Sequence, residues 1–446
     1  MNTPICDFVR SYNQSAPVRM HMPGHKGSGP LGFEHLDLTE IHGADNLYEA
    51  EGIIRQSEEN ASSLFGCRTF YAAQGSSQCI HAMLYLAMAY AKSHGRRPLI
   101  AAARNVHKTF LSGCALLDLN VVWLYPEKTD SYLSCQLTGN ALEKAILSTP
   151  EKPTAVYLTS PDYLGNLANI SEIAEVCHRH EILLLVDNVH GAYLRFLSPS
   201  QHPMDLGADL CCDSAHKTLP VLTGGDYMNM SDALDQEIGM YAKKAMAMFG
   251  STSPSYLILQ SLDAANPYLE GYREKLSDFL PLVEKLKQNL TAAGYRFSGD
   301  EPIKLTLCAK EYGYLGTELA QILRRQMIEC EFSDQDYLVL MLTPNHTQED
   351  FTRLETALLQ IPRKEAILER SPVPAPGIHA MSMRQAMLSP SEILPVEQCE
   401  GRILASPSVG CPPAVPIAVC GERIDSHAVQ CFKAYGIHSI SVVKET

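Results

Sequence analysis

The sequence lacks the features of membrane, zinc-binding and nucleic-acid-binding proteins. No segment approaches the roughly 18 apolar residues of a membrane span, and the polar N-terminal stretch is unlike a secretory signal peptide. Fourteen cysteines are scattered without a CxxC spacing, so we expect no metal site, and free thiols favour a reducing cytoplasm. Because 36 Lys and Arg face 50 Asp and Glu, the net charge of −14 opposes binding to nucleic acid or a membrane surface.

The remaining composition is that of an ordinary folded protein. Hydrophobic residues make up 46% of the chain and charged residues 19%, which excludes a disordered or fibrous protein. The 446 residues predict two or three domains of about 100–200 residues each. The acidic charge remains compatible with a small cationic substrate.

Short apolar runs alternate with helical patterns through the first half of the chain. Each run is almost continuously apolar, as expected for a strand that is covered on both faces. The alternation predicts an α/β fold with a mainly parallel sheet, whose ligands bind at the carboxyl ends of the strands. The predicted strands are Pro98–Ala103, Val121–Tyr125, Ala155–Thr159, Ile182–Asp187 and Leu210–Asp213, and the predicted helices are Gln56–Phe65, Gln78–Lys92, His107–Leu117, Ala141–Leu147 and Ser171–His180.

The pattern changes after a long predicted helix near Glu270–Ala293. Strands at Ile303–Cys308 and Tyr337–Leu342, with helices at Thr317–Gln326 and Gln348–Leu359, predict a smaller α+β unit. A Pro-rich linker, Ser371–Gly377, precedes the tail. We therefore expect an irregular N-terminal arm over 1–50, a large cofactor-binding domain over 51–270, a small α+β domain over 271–370 and a C-terminal segment over 371–446.

Three predicted strand ends contain polar residues that an apolar core would not select. Parallel strands end at the same edge, so these groups would converge on one crevice. The 30 residues from Asp187 to Lys217 leave room for one helix and one strand, as neighbouring parallel strands require. The residues are Asp187 and His190 in VDNVHG, Ser214, His216 and Lys217 in DSAHKT, and His107 in RNVHKT.

This combination of groups suits pyridoxal 5'-phosphate. A desolvated lysine such as Lys217 forms a Schiff base with an aldehyde, and a carboxylate such as Asp187 keeps a pyridine nitrogen protonated. Gly75-Ser76-Ser77 would open a helix and offer its N-terminus to the phosphate. Ser214 and His216 could add donors, and the imidazole of His107 could stack on the ring. Each motif alone also fits an ordinary turn, cap or surface residue, and only their convergence favours the cofactor.

Longer motifs extend over nearly the whole chain. The sequence resembles the bacterial ornithine/lysine/arginine decarboxylases, and its length resembles their short form without the N-terminal wing domain. The resemblance implies fold type I, the aspartate-aminotransferase-like fold, with a large seven-stranded-type sheet domain and a smaller C-terminal α+β part. The motifs are MHMPGHKG at Met20–Gly27, LTEIHGADNLYEAEG at Leu38–Gly52, YAAQGSSQ at Tyr71–Gln78, RNVHKT at Arg104–Thr109, YLTSPDYLG at Tyr157–Gly165, LLVDNVHGA at Leu184–Ala192, DSAHKTLPVLTGG at Asp213–Gly225, GSTSPSYLILQSLDAA at Gly250–Ala265 and EGRILASPSVGCPPAVPIAVCGE at Glu400–Glu422.

The resemblance also implies a role for each matched residue. Lys217 matches the Schiff-base lysine, Asp187 the partner of the pyridine nitrogen, and His107 the stacking histidine. His190 matches the histidine on the side of the cofactor's hydroxyl. Ser251 and Thr252 match a segment that reaches the cofactor of a neighbouring subunit, which implies a homodimer or a higher homo-oligomer. The phosphate-side residues are Gly75, Ser76, Ser77, Ser214 and His216.

Several residues depart from the family pattern in segments that could contact the substrate. Asn188 replaces a Glu, Asp162 replaces a Thr, and Asn46 replaces an acidic residue. Gly224-Gly225-Asp226 replaces a Gln/Ala/Ser-type stretch, while Cys411 and Ala414 interrupt a YPPGIP-like pattern. For the distal cation of a substrate, the candidate carboxylates are Glu422 and Asp226.

The resemblance implies a cytoplasmic lyase that decarboxylates arginine, lysine or ornithine to the amine and CO₂, as in polyamine biosynthesis. Either His216 or Lys217 could return a proton to the α-carbon. An aminotransferase or another lyase on the same cofactor remains an alternative, as does a protein that keeps the fold without activity. An aminotransferase would need an arginine for the substrate carboxylate, and Arg324, Arg325, Arg353 and Arg402 are available in the sequence.

Overall fold

The computed structural model describes residues 1–407 and 414–445. The chain forms two compact units, one of residues 1–98, 154–157 and 170–275, and one of residues 99–153, 158–169 and 276–446. The domain boundaries expected from the sequence stay predictions. Cys411 lies outside the described residues.

A mostly parallel sheet of seven strands is the largest element of the fold, as the sequence predicts. Five predicted strands are confirmed to within one residue at each end. The strands are β1 (Arg68–Ala72), β2 (Leu99–Ala103), β3 (Asn120–Leu124), β4 (Ala155–Thr159), β5 (Leu183–Asp187), β6 (Leu210–Asp213) and β7 (Asp226–Met230), in the order β1-β7-β6-β5-β4-β2-β3.

The sequence analysis missed β1 and β7. β7 is antiparallel to both β1 and β6 and is buried along its whole length. Its sequence, DYMNM, contains Asp and Asn, whose polarity hides a buried strand from a search for apolar runs. The connection from β5 to β6 also differs from expectation, because it contains two short 3₁₀ helices, Ala192–Phe196 and Pro203–Leu206, instead of one α-helix.

One expectation about the helices is wrong, and another is confirmed to within two residues at each end. The N-terminal arm is not wholly irregular, because Pro4–Gln14 form a helix that begins with a proline at its first position and buries Ile5 and Val9. The long helix expected near 270–293 is the second of two helices that are separated at Gly271, since glycine favours a helix end. The helices of the first half are α1 (Pro4–Gln14), α2 (Ile53–Phe65), α3 (Ser76–Ser93), α4 (Lys108–Leu117), α5 (Gly139–Ser148), α6 (Ile170–Arg179), α7 (Ala215–Thr218), α8 (Asp232–Ile238), α9 (Ala242–Met248), α10 (Tyr256–Glu270) and α11 (Tyr272–Ala292).

The second unit contains the predicted small α+β arrangement and a tail with its own core. The small antiparallel sheet has the order β10-β11-β9-β8. In the tail, Leu404, Ile424 and Phe432 are buried in one apolar cluster. The elements are β8 (Phe297–Ser298), β9 (Lys304–Cys308), α12 (Gly316–Arg325), β10 (Phe332–Ser333), β11 (Tyr337–Met341), α13 (Gln348–Leu359), β12 (Ile378–His379), α14 (Met383–Leu388), β13 (Ser391–Pro395), β14 (Glu422–Arg423), α15 (Ser426–Ala434) and β15 (Ser439–Val443).

The length and apolar composition of the helices determine whether any of them could cross a membrane. Within residues 1–407 and 414–445, none combines the length and the apolar composition that crossing a membrane would require.

Candidate active site

The predicted site residues of the first unit lie at one edge of the sheet. They are at or next to the ends of four strands, β1, β5, β6 and β7. β5 and β6 are parallel, so Asp187 at the end of β5 pairs with Cys212 near the end of β6. β7 is antiparallel to its neighbours, and its first residue, Asp226, pairs with Ala72 at the end of β1. The turn after β6, the loop after β1 and the start of β7 therefore lie at the same edge as Asp187.

Lys217 lies in the turn that follows β6. Its backbone N–H donates to the carbonyl oxygen of Ser214 at 3.0 Å, which fixes the short helix α7. Its side-chain Nζ lies 3.0 Å from Nε2 of His190, and His190 is almost completely buried. This contact holds the amine at the sheet edge, where it could react with an aldehyde as a neutral amine.

Asp187 is a fully buried carboxylate with an unusual pKa. Burial raises its pKa to about 6, while the Tyr157 hydroxyl, the charge of Lys217 and the backbone of Val189 lower it. The Tyr157 hydroxyl donates to Oδ2 at 3.0 Å. The other oxygen, Oδ1, is buried and has no hydrogen-bond partner among the residues that the structure describes.

The unsatisfied oxygen of Asp187 is the observation that tests whether the residues fit pyridoxal phosphate. A buried carboxylate oxygen without a donor costs about 1–3 kcal/mol or more, so such an atom is expected where a ligand supplies the donor. A protonated pyridine nitrogen is a donor of the required charge. With Lys217 on the same edge, the residues fit the cofactor.

The loop after β1 contains the residues that the sequence predicts for the phosphate side of the site. Gly75 has φ of +77°, a conformation that disfavours any side chain, and it directly precedes Ser76 and Ser77 in the first turn of α3. Its N–H donates to the carbonyl of Gly224 at 3.1 Å, which links this loop to the segment before β7. The N-terminus of α3, an 18-residue helix, favours an anion at this position.

Asp213 organises the end of β6 and was missed by the sequence analysis. It accepts hydrogen bonds from His202 at 2.8 Å, from Asn229 at 2.7 Å and from Asn188 at 2.5 Å, and all four residues are buried. Cys211 also lies close, so His202, Cys211 and Asp213 place potential metal ligands within 4.8 Å of one another. The two asparagine amides already occupy the oxygens of Asp213, which favours a hydrogen-bond network that positions Ser214 to Lys217.

This network gives a physical reason for Asn188, where the family pattern has Glu. Its amide nitrogen donates to Asp213, which has no exposed surface. A carboxylate at this position would be a second buried negative charge against Asp213 and would be unfavourable. The departure therefore suits the interior of this chain and does not by itself indicate a new substrate.

His107 and Glu422 belong to the second unit. His107 caps α4, because its Nδ1 accepts the backbone N–H of Thr109 at 3.2 Å. Glu422 is buried, accepts the N–H of Val419 at 2.7 Å and lies 3.6 Å from the guanidinium of Arg104. The stacking role of His107 and the substrate role of Glu422 stay predictions.

Asp162, which replaces a Thr of the family pattern, also lies in the second unit and holds a turn. Its Oδ1 accepts the N–H groups of Leu164 at 3.0 Å and Asn166 at 2.9 Å, which closes the turn after β4. Burial raises the pKa of Asp162. The structure thus accounts for an acidic residue here through the turn that it holds.

Ser251 and Thr252 lie in a surface turn between α9 and α10. The Ser251 hydroxyl accepts the N–H of Ser253 at 3.1 Å, and Thr252 is exposed. The phosphate role that the resemblance implies for them, at the cofactor of a neighbouring subunit, stays a prediction.

Comparison with known proteins assigns the family. Residues 3–299 match the model of the Orn/Lys/Arg decarboxylase major domain. The chain belongs to this family. Its enzymes depend on pyridoxal phosphate, and the protein is accordingly a pyridoxal-phosphate-dependent amino-acid decarboxylase.

Curated relatives and solved structures agree with this assignment. The chain is 31% identical to an arginine decarboxylase of Halalkalibacterium halodurans, over 95% of this chain and 91% of that protein. It is 30% identical to an arginine decarboxylase of Bacillus subtilis over the same shares. The crystal structure of the lysine decarboxylase of Francisella novicida has a TM-score of 0.81 over 99% of this chain and 81% of that chain. At 16% identity, the last likeness concerns the fold.

The residues of the first unit define what this chain contributes to the chemistry. When bound, the cofactor supplies a protonated pyridine ring that accepts the electron pair released as a carboxylate leaves the α-carbon. Asp187, whose Oδ1 is unsatisfied, would hold the proton on the ring nitrogen. His190 would orient the amine of Lys217 through the contact between Nε2 and Nζ. Tyr157 fixes the carboxylate of Asp187, and a polar tyrosine in the apolar run of β4 was the signal for it in the sequence.

Proposed function

We propose that this protein decarboxylates arginine and releases CO₂ and the corresponding amine. The single observation that supports this most is the buried carboxylate of Asp187, with one unsatisfied oxygen, at the sheet edge that also holds Lys217. Arginine is the substrate named for the two relatives described above. Lysine and ornithine are the substrates to compare with it, because a protein carboxylate binds either an ammonium or a guanidinium.

Turnover by the holoenzyme tests the reaction and the substrate together. We expect equal amounts of CO₂ and amine from arginine, with a kcat/KM for arginine above those for lysine and ornithine. A keto acid as product would show an aminotransferase instead. Bound cofactor, seen by its absorbance, without turnover of any of the three amino acids would contradict the proposal.

We also propose that the enzyme is a homodimer in the cytoplasm. Several large apolar side chains are exposed on the N-terminal arm and around α9, which is consistent with residues that a second copy of the chain would cover. All thirteen cysteines of the described residues are free, which suits a reducing compartment. The exposed apolar residues include Val18, Met20, Met22, Leu31, Met240 and Met248.

Mixing two inactive variants tests the shared site. Lys217→Ala chains lack the lysine, and Ser251→Ala/Thr252→Ala chains lack the hydroxyls that a partner would lend. A mixed dimer contains one site with both sets intact, so equal mixing is expected to restore about a quarter of wild-type activity. No recovery, although sedimentation shows mixed dimers, would contradict the shared site. An active monomer with bound cofactor would contradict the dimer.

A further inference from the structure

Asp226 places a second buried carboxylate on the phosphate side of the site. It is the first residue of β7 and is completely buried. A Cβ atom built on Gly75 would lie 3.9 Å from its Oδ2, so this oxygen points toward the loop at the start of α3. A carboxyl group therefore lies next to the helix N-terminus that favours an anion.

The hydrogen bonds of Asp226 change what its neighbours can offer a phosphate. The hydroxyl of Ser214 donates to Oδ1, so this proton is not available to an incoming phosphate oxygen. Oδ2 lies 3.6 Å from Nδ1 of His216 and has no hydrogen-bond partner among the described residues. A phosphate dianion at this edge would meet a carboxylate whose second oxygen is unsatisfied.

The groups that face Asp226 provide one way to balance its charge. His216 approaches it from α7. Three more groups face Asp226: the thiols of Cys79 on α3 and Cys212 on β6, and the hydroxyl of Tyr227 on β7. Burial is the main cause that raises the pKa of all three, and the charge of Asp226 raises it further. These three groups stay neutral, and no lysine or arginine of the described residues pairs with Asp226. An added proton is the remaining source of positive charge.

We propose that Asp226 makes binding of the cofactor's phosphate depend on the uptake of one proton, which the phosphate, Asp226 and His216 share. The inference rests on the proposed function only in that the ligand is pyridoxal phosphate. A phosphate monoester loses its second proton near pH 6, so above pH 7 both it and a carboxylate are ordinarily ionised. Cofactor affinity is then expected to fall by about tenfold for each unit of rising pH, relative to a chain without this carboxylate.

Equilibrium binding from pH 7 to 9 tests this with matched variants. Asp226→Asn keeps the shape and removes the charge, and Asp226→Ser serves as a second variant should the first fail to fold. The matched control is Asp263→Asn, because Asp263 is equally buried and also accepts a serine hydroxyl, from Ser57 at 2.5 Å. All four proteins keep Lys217, so the pH dependence of the reaction with the aldehyde cancels between them.

The slope of log Kd against pH is expected to differ by about one between the wild type and either Asp226 variant. At pH 8, the variants are expected to bind pyridoxal phosphate about tenfold more tightly than the wild type. Asp263→Asn should keep the wild-type slope. Pyridoxal, which lacks the phosphate, should bind the wild type and Asp226→Asn with equal slopes. Equal slopes for pyridoxal phosphate would overturn the inference. Failure of the wild type to bind it at any pH would instead overturn the cofactor assignment.

Calorimetry of the wild type gives a second measurement that needs no variant. The heat of binding is recorded in buffers that differ in ionisation enthalpy, which counts the protons exchanged. At pH 8, pyridoxal phosphate is expected to take up about one proton more than pyridoxal does. An equal count for both ligands would also overturn the inference.

Discussion

Replacing Lys217 by alanine is expected to abolish turnover, with a loss of at least about a thousandfold. An alanine has no amine to react with the aldehyde of the cofactor. Borohydride should fix the cofactor to Lys217 in the wild-type protein, and peptide mass spectrometry locates the adduct. An adduct on another lysine would refute the assignment. Lys92→Ala, at the exposed end of α3, is the matched control and should keep full activity.

The same substitution should leave the fold intact. Lys217 is only partly buried, and the contacts of its side chain include His190 and the charge of Asp187. The loss of one such contact costs about 1 kcal/mol. Thermal unfolding therefore separates a lost reaction from a lost structure, and a variant that no longer folds would contradict this account of the turn after β6.

The main parts of the site could be predicted from the sequence because they follow from strand ends. Asp187 ends one almost purely apolar run and Lys217 lies in the turn after another, and parallel strands must end at one edge. Gly75 could be predicted for a similar reason, since a glycine and two serines before an apolar helical pattern indicate a helix N-terminus. These inferences need only local patterns and the handedness of the connections.

The residues that support the site could not be predicted in this way. Tyr157 reaches Asp187 across 30 residues of sequence, and Asn229 reaches Asp213 across 16. Such contacts depend on which strands are neighbours. No sequence pattern places β7 beside β6, because Asp and Asn interrupt the apolar run of β7.

Because the sequence analysis did not recognise β7, it proposed Asp226 as a carboxylate for the distal cation of the substrate. Without the strand, an acidic residue after two glycines resembles a loop residue that could receive a substrate's cation. In the structure, Asp226 is buried and accepts the hydroxyl of Ser214, which belongs to the predicted phosphate side. The antiparallel direction of β7 puts the start of this strand, instead of its end, at the functional edge.

The raised pKa of Asp187 predicts a cost in stability. Its pKa rises from 3.8 to about 6 on burial, so its contribution to the stability of the cofactor-free protein is complete below about pH 4 and is lost as the pH rises through 6. Two pKa units correspond to about 3 kcal/mol. At pH 7.5, cofactor-free Asp187→Asn should therefore resist urea better than the wild type.

Asp187→Asn is nevertheless expected to lower kcat by about a hundredfold or more, which corresponds to about 3 kcal/mol of barrier. An amide is uncharged and cannot hold the proton on the ring nitrogen as a carboxylate does. Tyr157→Phe is the matched control, since it removes the hydroxyl bonded to Oδ2 and keeps the carboxylate, and we expect a loss of about tenfold or less.

Stability and turnover measured on the same proteins decide between a functional and a structural role for Asp187. A structural residue would lose stability and activity together. The unsatisfied oxygen and the raised pKa predict the opposite, a cofactor-free Asp187→Asn protein that is more stable and less active. A near-normal kcat of Asp187→Asn with bound cofactor would refute the pairing with the ring nitrogen. The buried carboxylate would then lower the stability of the protein without increasing kcat.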